Sequence, residues 1–132
     1  MTYDLVVLTR RAPDVRAIVD SMVEAGETLR VRGAGDGALI QLCDEEGRPL
    51  LSIEAAQRVD VEGEVERLLG AEAAAGLSVP YWWVEARATG SEPAGAALAH
   101  RFAEAMVERL GGRVWPPGPP PQAAGPGAED GR

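Results

Sequence analysis

The stretch Tyr81-Trp82-Trp83-Val84-Glu85-Ala86-Arg87-Ala88 constrains the fold more than any other part of the chain. Pro80 opens it and Gly90 closes it, so it reads as one strand on which the other elements pack. At the two-residue period of a strand, Trp82, Val84, Ala86 and Ala88 share one face, and Tyr81, Trp83, Glu85 and Arg87 share the other. The first face is wholly apolar and is assigned to the core. The second carries two aromatics beside an acid and a base, which suits a covered or partner-facing surface.

The remaining elements follow from periodicity. Leu5-Val6-Val7-Leu8 is apolar on both faces and predicts a central strand covered on both sides. Pro13 fits a first helical turn, and Asp14 suits the positive end of the helix dipole. Val15, Ile18, Val19, Met22 and Val23 then form one helical stripe. Arg16 and Asp20 stand one turn apart, and Gly26, able to adopt left-handed backbone, supplies the stop. Leu29 and Val31 alternate with Arg30 and Arg32 as a half-buried strand. Ala38–Cys43 and Leu50–Ala55 flank a Gly-containing turn and predict a hairpin. Asp60 is a candidate N-cap for a short helix striped by Val61, Val65, Leu68 and Leu69. Ser91 caps, and Pro93 begins, a second long helix with Leu98, Phe102, Ala105, Met106 and Leu110 on its inner face. Gly111-Gly112 ends that helix, and Arg113-Val114-Trp115 is a short last strand. The expected fold is α+β: a single mixed sheet of about five strands with two main helices on it, ferredoxin-like in spirit. Residues 1–116 form one domain. Residues 117–132 are a Pro/Gly-rich tail with too little apolar surface to offset the entropy of ordering.

Composition narrows the function. The chain has 132 residues and a formal charge of −8, which opposes non-specific nucleic-acid binding and attraction to an anionic membrane. A DNA-binding role would need Arg10, Arg11, Arg30 and Arg32 on one face. The acidic balance instead permits a basic protein partner. No Lys is present, which excludes Schiff-base chemistry. Cys43 is alone, so no intrachain disulfide forms and the thiol reads as a small buried hydrophobe. No run of apolar residues is long enough to span a bilayer, and no signal segment opens the chain. The expectation is a cytoplasmic protein.

Three features invite a chemical reading and do not sustain one. Gly33-Ala34-Gly35-Asp36-Gly37 is followed by a strand pattern, whereas a phosphate-cradling loop needs a helix behind it. Glu45 and Glu46 sit at a turn tip, without the burial that raises a catalytic carboxyl pKa. His100, Glu104 and Glu108 line up at helical spacing on the side opposite the apolar stripe, where such a row is a wet face. No second His completes a metal set. With the only His outside, Ser52, Ser78 and Ser91 have no triad to join. No catalytic residue, cofactor site or metal site is assigned.

A combination of segments carries a resemblance. Leu51-Ser52-Ile53-Glu54-Ala55 with Gly63-Glu64-Val65-Glu66-Arg67-Leu68-Leu69-Gly70, then Trp82–Ala88, then Leu110-Gly111-Gly112-Arg113-Val114-Trp115-Pro116 resembles a group of uncharacterised actinobacterial proteins associated with type VII secretion gene clusters. The likeness covers most of residues 3–116. Its motifs are of packing type, so it implies an accessory or adaptor role and carries over no catalytic residue.

The leading expectation is therefore a non-enzymatic protein-interaction module. Tyr81, Trp83, Glu85 and Arg87 form its surface for a protein partner or for self-association. Two alternatives stand beside it. One is a small-ligand binder or enzyme with a polar pocket near Glu85, Arg87 and Glu54, where a carboxylate and a guanidinium could orient a polar ligand. The other is an acidic immunity or antitoxin protein that neutralises a basic toxin.

Overall fold

The computed structural model describes residues 2–34, 39–89 and 94–117. Within them the chain forms β1 (Thr2–Thr9), α1 (Val15–Ala25), β2 (Arg30–Ala34), β3 (Leu39–Cys43), β4 (Pro49–Glu54), β5 (Gln57–Val59), α2 (Glu64–Leu69), α3 (Ala71–Ala74), β6 (Tyr81–Thr89), α4 (Ala94–Leu110) and β7 (Gly112–Trp115). The tryptophan stretch is β6. It pairs along its length with β1, from Thr2 opposite Thr89 to Thr9 opposite Trp82. On its other side β4 pairs through Leu51–Ile53 and β5 through Gln57–Val59. β4 and β5 are thus successive parts of one passage beside β6, interrupted at Ala55-Ala56.

The expectation of about five strands in a mixed sheet is corrected: among the described residues the sheet has seven, ordered β2-β3-β4-β6-β1-β7 with β5 also on β6. Every pairing is antiparallel. β7 is the short last strand expected at Arg113-Val114-Trp115; the member not anticipated is β5, whose three residues are too few for alternation to be legible. β1 and β2 run in the same sense but stand apart, with β6, β4 and β3 between them. α1 therefore carries the chain across the sheet rather than between neighbouring strands.

One sheet face holds the main core. Leu5, Val7, Ile40, Leu42, Leu51, Ile53, Val84, Ala86 and Ala88 project from the strands toward Ile18 and Met22 of α1 and Leu98, Phe102 and Met106 of α4. The apolar face assigned to β6 is this one, although Trp82 lies only half-buried near the sheet's end, 5.7 Å from the Arg58 guanidinium. The small residues Ala86, Ala88, Ala99 and Ala103 belong to the same cluster and let α4 sit close to the strands. A Cβ on Gly95 would stand 3.3 Å from the Thr89 carbonyl oxygen, which shows how near the helix start comes. Cys43 is buried, as its apolar neighbours predict.

The inner face of α1 differs from the expected stripe. Ile18, Ser21, Met22 and Ala25 are buried, while Val15 and Val23 are 63% and 48% exposed. The helix is rolled by roughly a quarter turn, at about 100° per residue, because it must face α4 as well as the sheet. Arg101 of α4 donates to the Ala25 carbonyl at 3.1 Å, and Arg109 pairs with Glu24 at 2.8 Å. Arg16 and Asp20 approach to 3.7 Å, in the solvated setting where such pairs contribute only a few tenths of a kcal/mol, about 0.3–0.5.

Local punctuation also departs from the simplest reading. Asp14 is the N-cap of α1, its carboxylate accepting from the Ala17 amide at 2.8 Å, so Pro13 precedes the cap instead of opening the helix. Gly26 ends α1 at φ −151°, not in the left-handed conformation. A Cβ there would stand 2.6 Å from Leu29 Cδ1, so any larger residue would need the Leu29 side chain to turn aside. Gly63, not Asp60, occupies the N-cap position of α2 and offers no side chain; Asp60 pairs with Arg58 at 2.8 Å. Val61 and Leu68 accordingly stay exposed. In the β3–β4 turn the Asp44 carboxylate accepts from the Glu46 amide, the Arg48 amide and Arg48 Nε. These bonds, the Arg48 amide foremost, hold the Asp44 carboxyl below its usual range. Ser91, Pro93, residues 35–38 of the Gly-rich loop and the tail from residue 118 lie outside the described residues.

Gly112 is the tightest backbone position. Its φ is +121°, and a Cβ there would lie 1.8 Å from the Leu8 carbonyl oxygen, inside the β1–β7 ladder. Gly112→Ala is expected to lower stability by at least about 2 kcal/mol, read as a shift of the urea midpoint without loss of the β1–β6 pairing.

Candidate functional site

The second sheet face is covered only in part. Leu8 of β1 and Tyr81 of β6 are buried there beneath Val65 of α2 and Ala73 of α3, with Val6, Leu69, Trp83 and Trp115 packed against them. Arg113 of β7 fastens this cover. Its guanidinium donates to the carbonyls of Glu72 and Ala73, at 3.0 and 3.3 Å, and to that of Ala75, meeting the negative end of α3.

Beyond this cover the side chains of the face are ordered by register into rows. One row is polar: Arg32 stands opposite Gln41, Gln41 opposite Ser52, Ser52 opposite Arg87, and Arg87 opposite Asp4. Three hydrogen bonds run along it, Arg32 to Gln41 at 2.8 Å, Gln41 to Ser52 at 3.1 Å, and Arg87 Nε to Asp4 at 2.8 Å. Cross-strand pairs of this type hold a sheet surface with modest energy, about 0.2–1 kcal/mol each. The next row lies at the foot of the helical cover. Leu39 is opposite Glu54, while Val6 is flanked by Glu85 and Trp115. One further step along the β4–β6 register sets Glu54 beside Glu85.

Between these rows lies a recess of about 480 Å³, with Asp4, Glu54, Glu85 and Arg87 at its polar side and Val6, Leu39, Leu69 and Trp115 at its apolar side. Trp83 Nε1 donates to Glu85 at 3.1 Å and so restrains that carboxylate. Glu54 makes no side-chain hydrogen bond or ion pair among the described residues. The Arg87 pKa is raised, first by the hydrogen bond to Asp4, then by the Asp4 charge and the more distant Glu54 and Glu85.

The residues singled out in the sequence therefore separate. Glu85 and Arg87 are exposed beside the recess, and Trp83 is half-buried at its margin. Tyr81 is 3% exposed; it lies under α2, where burial raises its phenol pKa against a backbone hydrogen bond from Val65. Of the four, Trp83, Glu85 and Arg87 reach the surface, and Tyr81 lies beneath it. Asp4, Gln41, Ser52, Leu39 and Trp115 join them. Glu54 and Ser52 could have been placed on this face from the alternation of β4 alone. Asp4 and Trp115 depend on long-range pairing that periodicity does not encode. Arg10 and Arg11 lie past the end of β1, bonded to the C-terminal turn of α4, and Arg30 and Arg32 lie on the far edge strand β2. The four do not share a face. Glu46 at the turn tip pairs with Arg48.

His100 is a further correction. It is 3% exposed, not in a wet row with Glu104 and Glu108, which are exposed. The start of α4 turns this residue onto the sheet, where its Nε2 shares a hydrogen bond of 2.7 Å with the Tyr3 hydroxyl of β1. Among the described residues Nδ1 has no hydrogen-bond partner, nor has the buried Ser21 Oγ. Among the described residues no three His, Cys, Asp or Glu side chains gather as a metal site, and no helix is long and apolar enough to cross a membrane.

Burial lowers the His100 pKa, against the raising effect of Glu104. The folded state then binds fewer protons than the unfolded one just below the unfolded value of about 6.5. This contribution to stability is complete above that pH and is lost as pH falls below it through the lowered folded-state value. Urea midpoints measured from pH 7.5 to 5 should decline in the wild type and decline less in His100→Gln. Tyr3→Phe, which leaves a buried imidazole nitrogen without its hydroxyl, should cost about 1 kcal/mol at pH 7.5. Comparison of the chain with protein-family models, with curated proteins and with solved structures gives no match.

Proposed function

We propose that this chain is a non-enzymatic protein-interaction module, an adaptor or accessory protein of the cytoplasm, and that it docks through the open part of its second sheet face. The observation that carries this reading is the abrupt end of the α2–α3 cover. Beside a shoulder of packed aromatics it leaves a sheet surface with its own polar row and a recess at the step. A buried aromatic shoulder next to adaptable polar groups is the makeup of interface centres. Trp83, Glu85 and Arg87 are the contact residues, and Tyr81 supports them from below. The partner is another protein or a second copy of the chain. The resemblance to actinobacterial proteins of type VII secretion gene clusters supports an accessory role in such a system.

A second reading is favoured by the recess itself. Its volume falls within the range of about 300–1,000 Å³ usual for small-ligand sites, so a polar ligand oriented by Arg87 and Glu85 is the alternative occupant.

The docking reading is tested with tagged protein and its Glu85→Ala/Arg87→Ala variant, whose exposed side chains should leave the melting temperature nearly unchanged. Wild type should capture a specific protein from native lysate, or self-associate in sedimentation. The variant should do so at least tenfold more weakly, about 1.4 kcal/mol. Equal capture and equal sedimentation by the two proteins would show that this face is not the docking surface.

A further inference from the structure

We propose that the recess at the foot of the helical cover receives an arginine side chain from an extended, basic segment of the partner protein. This rests on the reading that the open face docks a protein, and it names the chemistry of that partner. Three carboxylates, Asp4, Glu54 and Glu85, share the recess with a single guanidinium, Arg87. Arg87 is already engaged by Asp4 at 2.8 Å. Glu85 is steadied by the Trp83 indole, and Glu54 makes no side-chain hydrogen bond or ion pair among the described residues, only a longer-range charge interaction with Arg87. Two neighbouring carboxylates at the edge of an apolar wall are complementary to a cation carried on an aliphatic stem.

The guanidinium fits this arrangement better than an ammonium. Its planar fork can donate to both carboxylates, and it is weakly hydrated enough to lie against an apolar or aromatic wall. Its methylenes would rest on Val6 and Leu39, and the Trp115 indole borders the same space. The source is a protein segment rather than a free polyamine. The recess opens directly onto the polar row of Arg87, Ser52 and Gln41, which a flanking backbone can use and a polyamine cannot. The formal charge of −8 favours encounter with a basic partner and makes that encounter salt-dependent.

The test is a backbone and indole NMR titration of the full chain. The probes are a short blocked peptide with one central arginine flanked by valines, its citrulline counterpart, and spermidine. Arginine peptide is expected to shift the amides of Glu54 and Glu85 and the Trp115 indole. It should bind at least tenfold more tightly than the neutral, isosteric citrulline peptide, and more tightly than spermidine. Glu54→Gln/Glu85→Gln, which keeps the side-chain shape, should weaken it at least tenfold with the amide spectrum otherwise intact. Equal binding of the citrulline peptide, tighter binding of spermidine, or no shifts at these residues would overturn the assignment. If the peptide is silent while the lysate partner is still lost with Arg87→Ala, only the arginine assignment falls. If the lysate partner is retained by both Arg87→Ala and the double glutamine variant, the docking reading falls with it.

Discussion

The antiparallel ladder between β1 and β6 is the constraint from which the rest of the structure follows. Thr2 to Thr9 pair without interruption with Thr89 to Trp82, so a single register fixes which side chains of both strands look to each side. A slip of one residue would turn Leu5 and Val7 out of the main core and bring Asp4 and Val6 into it. The same slip would break the alignment of Val84, Ala86 and Ala88 with α4. The ladder also sets where β7 and β4 attach, since each pairs with one member of it. The two sheet faces are therefore decided together.

Those faces are unequal because the chain has long helices for only one of them. α1 and α4 cover the first face, whereas among the described residues the second has only α2 and α3, of six and four residues. Two such short helices reach over Leu8 and Tyr81 and stop near Val6 and Trp115. An uncovered sheet surface must be polar to remain in water, and the row from Arg32 to Asp4 meets that need with hydrogen bonds and an ion pair. The recess forms at the step between the two regimes. Its mixed lining, apolar toward the helices and ionic toward the open sheet, is a consequence of its position.

Much of this was legible because strand alternation is a local property. Val84, Ala86 and Ala88 against Glu85 and Arg87 needed no tertiary information, nor did the hairpin closed by Asp44 or the burial of Cys43. The rolled face of α1 was not legible. Val15, Ile18, Val19, Met22 and Val23 make a good stripe on paper, but the helix answers to α4 and the sheet together, and Ala25 and Ser21 were better suited to that corner than Val15 and Val23. His100 departs from its local pattern for a similar reason. Its helical spacing from Glu104 and Glu108 is real, yet the partner that allows it inside, Tyr3, is distant in the chain. Tyr81 belongs on the second face, as alternation requires, but whether that face is wet or covered depends on where α2 comes to rest.

The sequence by itself determined the α+β class, the extended state of the tryptophan segment and the division of its side chains between two sides, because these depend on residues within a few positions of one another. Tertiary structure decided how many strands join the sheet, which aromatic residues lie inside, and that Asp4, Glu54, Glu85, Arg87 and Trp115 meet at one recess. Those residues come from four strands brought together by antiparallel pairing. Pairing between distant segments is set by the global competition to bury apolar surface while satisfying backbone hydrogen bonds, which no short window of sequence contains.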